Sequence, residues 1–93
     1  MLTVVFNMQI LIMCRSLTRA QRSALLLERR GIGASVVKAP QALRENGCGY
    51  AVVPHRHPAE AIALLRENGL LNGRIFRLEG NGRYTEVSEN DLS

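Results

Sequence analysis

Cys48 stands between two glycines in the run Gly47-Cys48-Gly49-Tyr50, so its thiol has little steric cover and a ligand could approach the backbone closely. A cysteine reacts as its thiolate, so its usefulness depends on access and on a lowered pKa. Free cysteine is also among the most buried residue types, and one at the start of a strand is an ordinary packing residue. Spacing alone leaves both readings open. Cys14, the second of the two cysteines, ends an apolar run and reads as core, with a role as neighbouring thiol if the fold brings it beside Cys48. Two cysteines are too few to frame a secreted disulfide scaffold, which points to a reducing, cytoplasmic setting.

Other polar constellations are weaker. His55 and His57 bracket Arg56 and invite a metal reading, but two histidines without a third ligand nearby are poor evidence for zinc. Capping and solvation explain them better, and no metal or cofactor is expected. They also fall at the far end of their strand, about 20 Å from Cys48 at about 3.3 Å per residue. Gly80-Asn81-Gly82 is a turn and no phosphate loop, because no helix follows it.

The elements that position these residues can be read along the chain. Gln9-Ile10-Leu11-Ile12-Met13-Cys14 is a short strand followed at once by a helix start, where Ser16 or Thr18 can cap. Leu17, Ala20, Ala24 and Leu27 recur at helical spacing; Arg29 and Arg30 in the last turn and then Gly31 suit a helix end. Residues 32–38 form a second strand centred on Val36 and Val37. Leu-Arg-Glu-Asn-Gly occurs at 43–47 and again at 65–69. At 65–69 it ends a helix, so a turn or two is expected before Gly47, from shared cap chemistry rather than a repeat. Residues 48–53 form a third strand. His57-Pro58-Ala59-Glu60 opens a helix reaching Asn68, which buries Ala61, Ile62, Leu64 and Leu65. Runs 74–79 and 83–87 flank Gly80-Asn81-Gly82 as a hairpin.

This order predicts a single α+β domain over 1–93 with a frayed polar tail at 88–93. The first six main elements match a ferredoxin-like split βαβ sandwich, βαββαβ with sheet order 4-1-3-2, plus an extra C-terminal hairpin strand. An irregular two-layer sandwich is the alternative. The first strand places Ile10, Ile12 and Cys14 on one face and Leu11 and Met13 on the other; the third places Tyr50 and Val52 opposite Ala51 and Val53. Two helices cover one face only. A second subunit, the hairpin or the N-terminal residues must cover the other, and a homodimer is the first expectation.

In this plan the first strand ends where the third begins, which would make Cys14 and Cys48 near neighbours. The first helix starts at the same edge, bringing its amides and partial positive charge. Arg15, Ser16, Thr18 and Arg19, with Gly47 and Gly49, are the candidate binding residues there, and Arg22 follows one turn on. The short helix before Gly47 opposes this by pointing its negative end at Cys48. The longer helix and the arginines are expected to dominate and favour the thiolate.

Composition limits the function classes. With 46% hydrophobic and 22% charged residues the chain is an ordinary globular protein. The +4 charge comes from eleven arginines and one lysine spread along the chain, with few aromatics, so nucleic acid is not the expected partner. The apolar run at 1–13 has no basic leader or cleavage site, and no stretch approaches the roughly 20 apolar residues of a membrane span, so no membrane association is expected.

Ser16-Leu17-Thr18 with Ala20-Gln21-Arg22 after a first strand, Gly31, Pro40 and Gly47-Cys48-Gly49-Tyr50 together resemble the Se/S carrier protein-like family of short bacterial proteins. The resemblance spans roughly residues 9–70. It implies that Cys48 holds sulfur or selenium as a persulfide or selenosulfide for a biosynthetic acceptor, supplied by a donor such as a cysteine desulfurase. Such a protein is a carrier rather than a turnover enzyme. Cys14 belongs less clearly to the pattern, and residues 1–7 look additional to it, with Met8 an alternative start. The competing reading is a non-catalytic dimeric module that binds a small anion, with Cys48 merely packing. RNA contact through the arginines is a third.

Overall fold

The computed structural model describes residues 9–44, 49–71 and 73–88. Within them the chain runs β1 (Gln9–Cys14), α1 (Leu17–Arg29), β2 (Ala34–Lys38), one 3-10 turn (Gln41–Leu43), β3 (Tyr50–Pro54), α2 (Pro58–Glu67), β4 (Ile75–Leu78) and β5 (Tyr84–Val87). It is a small α+β fold with two helices and one five-stranded sheet in the order β2-β3-β1-β4-β5. Every neighbouring pair is antiparallel. The expected extra hairpin strand is present as β5, on the outer side of β4. Residues 1–7, Met8, most of the tail at 88–93 and the segment 45–48 lie outside the described residues.

Both helices end by the same device. Gly31 and Gly69 take left-handed φ values of 85° and 71°, a conformation that costs side-chain-bearing residues and not glycine. Behind α1, Ile32 N donates to Leu27 O (2.8 Å) and Gly31 N to Glu28 O (3.0 Å). Behind α2, Leu70 N donates to Leu65 O (2.8 Å) and Gly69 N to Arg66 O (3.2 Å). These are two Schellman closures, and each sends its next apolar residue, Ile32 or Leu70, towards the core. The closure also explains why β2 begins at Ala34 and not at 32. In the other Leu-Arg-Glu-Asn-Gly copy, Leu43 closes a single 3-10 turn and Arg44 is already extended.

The core has two parts, one on each face of the sheet. On the helix side, Ile10, Ile12 and Cys14 of β1 pack with Ala20 and Leu27 of α1, Ala61, Ile62 and Leu65 of α2, Val52, Ile75 and Val87. Fully burying a Leu or Ile contributes about 1.5–3 kcal/mol, so Ile12, Leu27, Ile62 and Leu65 carry much of the fold. The inward arc of α1 is Ala20, Ser23 and Leu27, while Leu17 is 40% exposed. An apolar stripe drawn through Leu17 and Ala24 therefore runs to one side of the true one, because the buried position between Ala20 and Leu27 is a serine. On the second face, Leu11, Ala39, Ala51 and Val53 form a separate cluster. Leu43 of the β2–β3 connection and Tyr84 of the hairpin pack against it, so a single chain already buries Ala51 fully.

α2 starts at His57-Pro58 as expected, but His57 makes no side-chain cap and holds φ 51° and ψ 56°. This is a strained left-handed corner for a residue of that size. The corner is held from both sides: His55 N donates to Gly33 O (2.8 Å), and Arg56 Nη2 donates to Gly31 O (3.0 Å). His57→Asn, which tolerates this conformation, should therefore raise stability by about 0.5–1 kcal/mol in urea unfolding. A loss of that size would mean that the imidazole supports the helix start after all.

Candidate functional site

β1 and β3 pair so that Met13 faces Ala51 and Cys14 faces Tyr50. The last residue of β1 thus stands beside the first residue of β3, at the edge where α1 begins. Ser16 caps α1 there: its backbone is extended (φ −152°, ψ 162°) and its Oγ accepts from Arg19 N at 3.2 Å. Arg15, Ser16, Thr18 and Arg19 are all exposed at this edge. Thr18 is already inside the helix, which settles the choice of cap. Cys48 and Gly47 lie outside the described residues.

Gly49 is described, and it is buried. The space beside its Cα, which the sequence suggests is open to a ligand, is taken by Arg44: a Cβ at Gly49 would lie 3.0 Å from Arg44 Nε. That Nε donates to Ala39 O at 3.0 Å, and Ala39 N donates to Gly49 O at 2.6 Å. The connection from β2 to β3 is therefore tied at its base by a backbone pair, with a guanidinium stem laid across the glycine. Only a glycine leaves room for that stem without pushing it aside.

Cys14 has a different environment. It is 5% exposed, its thiol donates weakly to Ile12 O at 3.7 Å, and it is not in a disulfide. Burial pushes its pKa above the ordinary value of 9.0; the Ser23 hydroxyl and the Arg19 charge pull it down, but by less. Ser23 is itself fully buried, and its Oγ lies beside the thiol without a well-directed hydrogen-bond partner. A thiol in this setting is protonated near neutral pH and is a packing group rather than a nucleophile.

The histidines sit at the other end of β3. His55 Nε2 and Ser35 Oγ share a 2.7 Å hydrogen bond, and His55 Nδ1 lies against Gly33, where a Cβ would meet it at 3.0 Å. The pair ties edge strand β2 to the β3–α2 corner. Ser35 could be found only from the register, since its pairing with Val53 sets it diagonally across from His55. No group of three or more His, Cys, Asp or Glu residues able to hold a metal comes together among the described residues.

Native-state labelling with a maleimide should leave Cys14 unmodified until the domain opens. An opening free energy of about 3 kcal/mol would slow it roughly hundredfold against the unfolded chain. Because the folded pKa is raised, the stability linked to this thiol is complete below 9.0 and is lost as pH climbs above it, where only the unfolded chain gives up its proton readily. Urea unfolding from neutral pH upward should therefore show a fall above that value that is smaller in Cys14→Ala; equal slopes would contradict the burial argument. Comparison of the chain with family models, curated proteins and solved structures found no match.

Proposed function

We propose that the protein is a chalcogen carrier, with Cys48 as the thiol that accepts sulfur or selenium. The observation that carries the reading is the contrast between the two cysteines' surroundings. Cys14 is walled in and held protonated. The chain enters β3 two residues after Cys48, beside the capped start of α1 and exposed Arg15 and Arg19. A helix amino terminus and arginines favour a thiolate and its persulfide anion. The likeness of Ser16-Leu17-Thr18, Ala20-Gln21-Arg22 and Gly47-Cys48-Gly49-Tyr50 to the Se/S carrier protein-like family supports the same reading.

The fold suits the role without a cofactor or deep cleft. Counted from β4 the first four strands stand 4-1-3-2, which supports the ferredoxin-like plan with β5 added at the β4 edge. Loading is a thiol exchange. The Cys48 thiolate attacks the outer sulfur of a donor persulfide, a new S–S bond forms, the donor's S–S bond breaks, and its electron pair leaves on the donor thiolate. Delivery repeats the step with an acceptor. The reading works with one copy of the chain, since Leu11, Ala51 and Val53 are buried without a partner.

Incubation with a cysteine desulfurase and cysteine, followed by intact mass, should show one added sulfur that reductant removes. Cys14→Ala should load like wild type and Cys48→Ala should not load. If Cys48→Ala loads equally well, the proposal fails and the anion-binding module becomes the better reading.

A further inference from the structure

The outward side of α1 carries charge that is not neutralised among the described residues. Arg15, Arg19, Arg22, Arg29 and Arg30 are all exposed, and none forms an ion pair with a described residue. Glu28 is the only acidic residue between them. The first turn holds no acidic side chain. Ser16 caps the helix, and the third helical position after such a cap is where a glutamate would reach back to close a capping box; here it is Arg19. A cation there opposes the helix dipole, and Arg19–Arg22 adds like-charge repulsion at helical spacing.

The two large apolar side chains that the described residues leave exposed are on this same helix: Leu17 at 40% and Leu25 at 47%. At 100° per residue Leu25 points almost opposite the buried arc of Ala20, Ser23 and Leu27, and Arg22 and Arg29 lie on either side of it along the axis, about 10 Å apart. An exposed leucine between two guanidinium groups that pair with no described residue is suited to carboxylates that bracket an apolar residue, since arginine binds carboxylate through a planar fork. Nucleic acid fits less well, because no aromatic side chain stands on this face to stack a base. A membrane surface fits less well too: the apolar side of α1 faces the core, and Leu17 and Leu25 are separated by polar residues.

We propose that the outward face of α1, with Leu25 between Arg22 and Arg29, docks an acidic protein segment that places an apolar residue among its carboxylates. The surface is independent of Cys48, so this inference and the carrier reading stand or fall separately.

The test uses the whole chain and a synthetic amphipathic peptide with glutamates along one helical stripe and a leucine between them. Its controls are the same peptide with glutamine for glutamate, a single-stranded RNA oligonucleotide, and vesicles of phosphatidylglycerol and phosphatidylcholine. The glutamate peptide should bind at moderate salt while the glutamine peptide does not, and Arg22→Glu with Arg29→Glu should weaken binding about tenfold or more. Leu25→Ala should weaken it too, with circular dichroism unchanged. Arg19→Glu should raise Tm by roughly 2–6 °C, as the carboxylate completes the capping box. RNA or vesicles binding more tightly than the peptide, binding indifferent to the double charge reversal, or a Tm lowered by Arg19→Glu would each overturn the proposal.

Discussion

The pairing of β1 on both sides is the constraint from which the rest follows. Ile12 faces Val52 of β3 across one ladder and Ile75 of β4 across the other, and it is fully buried. A central strand in a sheet with one helical layer has neighbours on both faces, so all its residues but the first need apolar or near-apolar surroundings. Gln9 alone is polar, and it alone is exposed. The second face cannot be left to solvent, and the chain meets this with pieces that carry little regular structure. Leu43 comes from a single 3-10 turn, and Tyr84 from the first position of a four-residue strand.

That constraint also separates the roles of the residues at the β1–α1 junction. Alternation along β1 turns Cys14 to the helix side, beneath α1, where burial outweighs the nearby Arg19 charge. Two residues further on, Ser16 is in solvent and caps the helix. The electropositive character of this edge therefore belongs to its rim of arginines and amides, and only a thiol outside the core could use it.

Periodicity and end signals carried most of the architecture. Both glycine closures, the proline start of α2, the hairpin around Gly80-Asn81-Gly82 and the two faces of β1 and β3 are local patterns with local causes, and they are readable before any contact is known. What was not legible depends on register or on the connection between strands. Ser35 is a neighbour of His55 only because it pairs with Val53. Arg44 lies over Gly49 because a backbone pair from Ala39 draws the two ends of that connection together. Ser23 hid the true inward arc of α1, since a pattern search passes over a serine in favour of the adjacent Ala24. His57 occupies a cap position with a left-handed backbone, yet its side chain makes no cap hydrogen bond.

The Arg44 arrangement sets the electrostatics at the base of the β2–β3 connection. An arginine whose Nε is committed to Ala39 O still has its terminal nitrogens to offer, and no hydrogen bond from them to a described residue is seen. Its stem lies over Gly49 and its Nε is tied to Ala39 O, which restrains an otherwise exposed side chain. Pre-organisation of that kind lowers the entropy lost when an anion is bound. One cation thus sits at the base of the β2–β3 connection and others rim the start of α1, while the sheet core buries Cys14 away from both. The absence of a side chain at Gly49 thus matters for seating Arg44 across the base of this connection.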